Sequence, residues 1–327
     1  MSALSFLHSQ LFITPPLPTS NFSEQTIIVT GANRGIGLEA ARHLLRLNAK
    51  RVILAVRSTT KGQDAARELE ASTMRAAGSV TVQELDMASH ASVAAFAQRM
   101  GSLDRLDAVI LNAGIYTNSF AKADGFESHL TVNVINTFHL ALLLLPTLRS
   151  SARAHNSPSR ISVVSSDRHV MFPLPAWKEK DNLFDILSVE KTASMQKRYM
   201  ISKLMQVLLV RELAAKLKSS EVILNSLTPG YCDSGLIDDI TGPTRFVLDL
   251  LMRATARTAE VGGRTLVAAI VPNEESHGRY LNDALVDDSA LSPYVRSAEG
   301  RESGRRLWQD LLDVLGRRGE TIVSLRS

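Results

Sequence analysis

TIIVTGANRGIG, residues 26–37, runs from β-branched residues into a cluster of glycines and then into the helix-forming segment LEAARHLLRLN. The opening residues are apolar or β-branched without polar alternation, the pattern of a strand buried on both faces. Gly31, Gly35 and Gly37 follow where the backbone must turn sharply and approach a ligand closely. The helix behind them presents unpaired N–H groups and a positive dipole end, which suit a pyrophosphate. Strand, glycine turn and helix in that order form a phosphate site; glycines that serve only a tight turn are the plain alternative.

Similar runs recur at RVILAV from residue 51, VTVQELD from 80, DAVILNAG from 107, RISVVSS from 160 and VILNSLTPG from 222. Helix-length segments lie between them, among them ASVAAFAQRM from 91, HLTVNVINTFHLALLLLPTL from 129 and YMISKLMQVLLVRELAAKLK from 199. This order predicts right-handed βαβ crossovers and an α/β, Rossmann-type, doubly wound and mainly parallel sheet with helices on both faces. GRYLNDALVDD from 278 adds an expected edge strand, and GRRLWQDLLDVLG a C-terminal helix. Residues 167–198 and 231–258 break the rhythm. Each follows the carboxyl end of a strand, where ligands bind in open α/β sheets, so both are read as substrate-facing insertions. Residues 1–22 form an N-terminal appendage, and residues 23–327 read as a single catalytic domain, a length that α/β folds bury in one core.

The composition, 45% hydrophobic and 21% charged, is that of a globular chain, and the run LALLLLP is too short to span a bilayer, so no transmembrane segment is expected. The N-terminal MSALSFLHSQLFITPPLPTS lacks a basic start and a cleavage site; it reads as a segment wrapping onto the fold, with peripheral membrane contact as the alternative. The net charge of +4 is spread out, with small clusters at Arg305 and Arg306 and at Arg317 and Arg318, so a nucleic-acid partner is not expected. Cys232 is the one cysteine, which excludes an intrachain disulfide and points to a reducing, cytoplasmic setting. The eight histidines show no metal-ligand spacing, and no metal is expected.

Tyr199 and Lys203 stand four apart and so share one helix face. Hydride reduction of a ketone leaves an alkoxide that must be protonated, and a phenol with a pKa of ~10 is a slow partner at neutral pH. A cation one turn away favours the phenolate, so Lys203 is expected to lower the pKa of Tyr199.

The G-x-x-x-G-x-G spacing of Gly31, Gly35 and Gly37 resembles the short-chain dehydrogenase/reductase family, and Asn112-Ala113-Gly114, Asp86 and Pro229-Gly230 extend the resemblance over about residues 25–235. It implies cofactor contacts from Gly31, Asn33, Arg34, Gly35, Ile36, Gly37, Asp86, Asn112, Ala113, Gly114, Tyr199, Lys203, Pro229 and Gly230, with Ser234 where a threonine often contacts the nicotinamide amide. It also implies a catalytic tetrad of Asn133, Ser166, Tyr199 and Lys203. Tyr199 would be the acid or base, Ser166 a donor to the substrate oxygen and Asn133 the anchor of a water reaching Lys203; the neighbouring Ser165 is the alternative serine. Arg57 ends the second strand where NAD sites usually carry an acid, and with Arg34 it can grip a 2′-phosphate, so NADP(H) is the expected cofactor. A solvated surface cation is the plain reading of either arginine.

The long gap between Ser166 and Tyr199 resembles the retinol-dehydrogenase-like branch of the family, and the appendage with GRYLND and LWQDLL resembles fungal members that tailor polyketides or terpenoids. His169 reads as a polar loop residue, with acid–base work as the alternative. Met171, Phe172, Leu174, Trp177, Phe184 and Leu187, with Leu236, Ile237 and Phe246, are read as walls of an apolar substrate pocket or as packing for the insertions. The resemblance implies an NADP(H)-dependent oxidoreductase of EC 1.1.1 type that interconverts a carbonyl and an alcohol on a lipophilic small molecule. A dehydratase or epimerase using the same site and a non-catalytic NADP-binding sensor or scaffold are the rivals. Monomer and homodimer are both open, the dimer through the long helices from 130 and 199.

Overall fold

The computed structural model describes residues 3–233, 235 and 255–319. Helix α1 (Ala3–Phe12) precedes β1 (Thr26–Thr30), α2 (Gly35–Arg46), β2 (Arg51–Val56), α3 (Thr59–Thr73), β3 (Val80–Glu84), α4 (His90–Met100) and β4 (Ala108–Leu111). A ribbon of β5 (Lys122–Ala123) and β6 (Phe126–Glu127) leads through a π-helical turn, Leu130–Ile135, into α5 (Asn136–His155). Then come β7 (Ser159–Val164), α6 (Leu183–Leu187), α7 (Met195–Ala214), β8 (Val222–Leu227), α8 (Ala259–Ala268), β9 (Tyr280–Asn282), β10 (Leu285–Val286), α9 (Pro293–Arg296) and α10 (Ala298–Arg317).

The main sheet has the order β3-β2-β1-β4-β7-β8-β9-β10 and is parallel except for β10, which runs antiparallel to β9. Winding therefore reverses between β1 and β4, which pair in register at Ile27 with Ala108 and Val29 with Ile110. Their carboxyl ends form the crevice that such a reversal opens. β1, β4, β7 and β8 are buried along their whole length, as continuous apolar runs require. β3, read as another doubly covered strand, is only partly buried because it is the edge with one neighbour.

One face of the sheet is covered by α2, α3 and α8, which contribute Leu44, Leu69 and Leu266 to a shared core. α2 and α8 cross closely: a Cβ on Gly263 would lie 2.8 Å from the Ala40 nitrogen. The other face carries α4, α5 and α7, and α10 packs over α7 with Leu307, Trp308 and Leu311. α7 begins at Met195, a turn before Tyr199, and every residue from Ile201 to Val210 is buried. α10 therefore covers part of the helix through which the resemblance implies a dimer. The 26-residue helical segment Leu130–His155 has the length and hydropathy to cross a bilayer, but 78% of its apolar window is buried inside the fold.

The insertion at 167–198 is bound into the body. Leu174, Leu183, Phe184 and Leu187 join the core beneath it. Asn182 Nδ2 and the Leu183 N–H donate to the carbonyl and carboxylate of Asp310 at 2.9 Å each, and the Arg306 guanidinium lies 4.4 Å over Trp177. Leu174, Phe184 and Leu187 are thus packing residues rather than pocket walls, because burying them against α10 removes more apolar surface than a cleft would. Met171 stays exposed and Phe172 faces the Lys197 ammonium at 5.3 Å. Leu236, Ile237, Phe246 and Ser234 lie outside the described residues.

The N-terminal appendage docks through polar atoms. Gln10 brackets Tyr231, accepting its N–H at 3.0 Å and donating to its carbonyl at 3.1 Å, and also donates to the Thr255 carbonyl at 3.0 Å. Arg257, buried and paired with Asp283 at 2.5 Å, donates to the carbonyls of Ser9 at 2.9 Å and Ile13 at 3.0 Å. Leu7, Leu11, Phe12 and Leu17 remain exposed on the outer side.

Candidate active site

The glycine turn is shaped by its backbone. Gly31 and Gly35 adopt φ of +66° and +60°, and a Cβ on Gly37 would lie 2.6 Å from Asn112 Nδ2 and 2.9 Å from the Gly31 carbonyl. Arg34 caps α2 in extended conformation without a side-chain cap, and the first turn holds no acidic residue. The residues present fit a pyrophosphate: the end of α2 carries N–H donors and no built-in anion. Asn112 locks the turn to β4, donating from Nδ2 to the Thr30 carbonyl at 2.9 Å, while the N–H groups of Asn112 and Ala113 donate to Thr30 Oγ1 at 2.9 and 2.8 Å. Thr30 is thus a hub that was legible only as the last residue of a strand. Ile36 packs towards Gly262, and Asn33 stays partly exposed. Asp86 is partly buried and accepts the Ala88 N–H at 2.9 Å. Arg34 and Arg57 are both exposed, at the carboxyl ends of the paired strands β1 and β2.

Across the crevice, Ser166 follows β7 and α7 brings Tyr199 and Lys203 to it. Ser166 lies close enough to act on the Tyr199 phenol, and the Lys203 ammonium lies 5.6 Å from the Tyr199 ring centre and donates to the Val164 carbonyl at 2.9 Å. Ser165 is committed elsewhere, to the Lys203 carbonyl at 2.9 Å, which leaves Ser166 as the serine that faces the tyrosine. Asn133 sits in the π-helical turn with its carboxamide bonded to both backbone groups of Ile115, at 2.9 and 3.1 Å, and its carbonyl accepts from Gln206 at 2.6 Å. A Cβ on Gly114 would touch Asn133 Oδ1 at 3.2 Å and approach Lys203 Nζ to 3.8 Å, so this glycine lets the asparagine and the lysine crowd together. Pro229 is buried and Gly230 has φ +78° beside Gln10 and Arg257.

Burial dominates the electrostatics. It drives the Lys203 ammonium down to about 7 and pushes the Tyr199 phenol well above its usual range; the Asp167 carboxylate adds to the latter shift, while Ser166 and Arg168 oppose it. The expectation that Lys203 lowers the tyrosine is therefore reversed in the chain by itself: where both groups are buried, neither charged form is favoured and the cation is half lost. His169 is not at a loop mouth. It is buried, its Nδ1 lies 2.7 Å from the Ser166 carbonyl, its ring packs 4.8 Å from Tyr280, and burial lowers it to about 4, so it braces the serine turn as a neutral imidazole. Burial also raises the Cys232 thiol to about 12 despite Arg257. Tyr116, not singled out from sequence, meets the Tyr199 ring edge-on at 4.9 Å and is held by no motif. Among the described residues no group of three or more potential metal ligands gathers.

A parallel sheet that reverses at β1 and β4, with a bare glycine turn on one side of the crevice and a buried serine, tyrosine and lysine on the other, is the architecture of a dinucleotide-binding α/β protein. The sequence model described as short chain dehydrogenase matches residues 25–173. The chain is 57% identical over 321 residues to the short-chain dehydrogenase anuD of Penicillium roqueforti (strain FM164), covering 96% of this chain and 84% of that protein. Among solved structures it resembles an uncharacterized protein from Mycobacterium Paratuberculosis, with 27% identity, a TM-score of 0.67 and coverage of 91% of this chain and 96% of the other. It also resembles the RhlG/NADP active-site complex of Pseudomonas aeruginosa, with 24% identity, a TM-score of 0.61 and coverage of 82% and 99%. The chain belongs to the short-chain dehydrogenase/reductase family, a family of oxidoreductases, and to its fungal secondary-metabolism type.

Proposed function

We propose that the protein is an NADP(H)-dependent oxidoreductase that interconverts a carbonyl and an alcohol on a lipophilic small molecule, in the tailoring of a fungal polyketide or terpenoid. The observation that carries this reading is the meeting of Ser166, Tyr199 and Lys203 beside the crevice that the glycine turn borders. Bound NADPH would supply the hydride. Gly31, Gly35 and Gly37 would cradle its pyrophosphate, Arg34 and Arg57 would hold the 2′-phosphate, and Asp86 would face the adenine.

The protein's own part is proton management. Ser166 donates its hydroxyl proton to the substrate oxygen and holds it. Burial keeps Tyr199 protonated at neutral pH, so it stands ready to give its proton to that oxygen as negative charge develops. Lys203, brought to about 7, exchanges protons readily at neutral pH and restores the one the tyrosine gives up. Asn133, through Ile115, fixes the strand end beside them. The edge-on ring of Tyr116 offers an apolar wall to the substrate.

The test is a panel of lipophilic aldehydes and ketones with NADPH, and the matching alcohols with NADP+. Turnover that vanishes in Tyr199→Phe while NADPH still binds supports the reading. Product formed without any change in NADPH absorbance would overturn it.

A further inference from the structure

We propose that Asp167 sets the direction in which Ser166 points its proton, and thereby decides whether Ser166 serves the substrate oxygen. The assignment rests on Ser166 being the donor to that oxygen, as read above. Ser166 Oγ lies 2.9 Å from Asp167 Oδ1 and accepts the Arg168 N–H at 3.2 Å. The Asp167 backbone is anchored, since its N–H donates to Thr228 Oγ1 at 3.1 Å and the residue opens the short 3-10 turn Asp167–Val170.

A serine hydroxyl has one proton and two lone pairs. Ionised, Asp167 is acceptor-only and takes the Ser166 proton, which leaves none for the substrate. Protonated, Asp167 donates to Ser166 Oγ instead; with the Arg168 N–H this fills both lone pairs and releases the serine proton towards the oxygen that Tyr199 also serves. Two donors then converge on one oxygen, the arrangement that carbonyl reduction needs. The groups acting around Asp167 are Arg168 on its own turn, Tyr199 on α7, Tyr280 on β9 and Cys232 after β8. Burial raises the Asp167 carboxyl, while Arg168 and the hydrogen bond from Ser166 oppose it. The sign follows: the acid is neutral and the serine available below the raised pKa, and availability is lost as pH rises through it. Asp167 is a positioning residue, acting through Ser166.

The experiment compares pH profiles of kcat/KM for NADPH-dependent reduction of phenanthrenequinone by the native protein and Asp167→Asn. The asparagine amide donates permanently to Ser166 Oγ, as the neutral acid would. The expected result is loss of one descending limb, with Asp167→Asn exceeding the native protein by roughly a hundredfold at the alkaline end, the size of a lost oxyanion donor. Unchanged limbs in Asp167→Asn would overturn the assignment. A second measurement needs no turnover: the infrared carbonyl stretch of a protonated carboxyl, taken as native minus Asp167→Asn, is followed against pH in the native and Ser166→Ala backgrounds. A titration midpoint that moves on removal of the serine hydroxyl supports the shared proton, and one that stays overturns it. If neither phenanthrenequinone nor the wider panel consumes NADPH, the oxidoreductase reading fails, and the infrared midpoints still decide the Asp167–Ser166 pair.

Discussion

The glycine-turn half of the crevice and the tyrosine half are built in opposite ways. On the first, main chain does the work: positive-φ glycines and a helix start without an acidic residue, with two exposed arginines nearby. On the second, side chains do it, and Tyr199, Lys203, His169 and Cys232 are all driven towards neutrality by burial. Shape sets one half and desolvation the other. Binding of a dinucleotide should therefore tolerate changes of pH that alter the chemistry, and the chemistry should respond to anything that admits water.

The two halves separate most sharply in Tyr199→Phe, which leaves the packing and removes the proton. Its kcat should fall by about 10²–10⁴-fold, with the NADPH dissociation constant nearly unchanged in a fluorescence titration. Gly37→Ala should do the reverse. Its new methyl meets the Gly31 carbonyl and Asn112, so NADPH affinity should drop by about 10- to 100-fold, the equivalent of 1–3 kcal/mol of overpacking, while kcat at saturating cofactor survives.

Lys203→Met probes the cost of burying a cation. The folded pKa of about 7 lies below the ordinary lysine value of 10.5, so the unfolded chain holds the extra proton between them and native stability rises with pH through that window. Removing the lysine should then raise the stability of the cofactor-free protein at neutral pH by about 2–3 kcal/mol, after allowing for the lost bond to the Val164 carbonyl. The gain should vanish above the unfolded pKa, which chemical denaturation at several pH values will show, and activity should be lost throughout. Arg57→Ala should weaken NADPH by roughly tenfold and leave NADH alone, as the loss of one charge-assisted bond predicts; equal weakening of both would remove Arg57 from the 2′-phosphate. Smallest is Gln10→Ala, at about 1 kcal/mol in thermal unfolding.

The same contrast explains what was legible in the sequence. The mainly parallel sheet and the glycine turn follow from local patterns, because strand period and backbone turns are written in neighbouring residues. Ser166, Tyr199 and Lys203 were legible through their spacing and order. Their protonation was not: it depends on packing from α10, β9 and the loop after β8, and YMISK shows a lysine near a tyrosine without showing that both are buried. Phe184 and Leu187 could be read either as pocket walls or as packing for the same reason, since the helix α10 that packs on α6 lies more than a hundred residues away in sequence. Gln10, Arg257 and Asp283 carry no motif at all, and their association comes from tertiary contact alone.

That association has a consequence for how the chain is made. The contacts of Ser9 and Gln10 reach across 274, 221 and 245 residues to Asp283, Tyr231 and Thr255. Closing such long loops lags behind local structure, and domains take shape from their amino ends as they emerge. α1 leaves the ribosome before its partners Tyr231, Thr255 and Asp283 exist, so its polar contacts close only after they have been made. The turn at Gly230 thus takes its bracket from a helix more than two hundred residues distant in sequence.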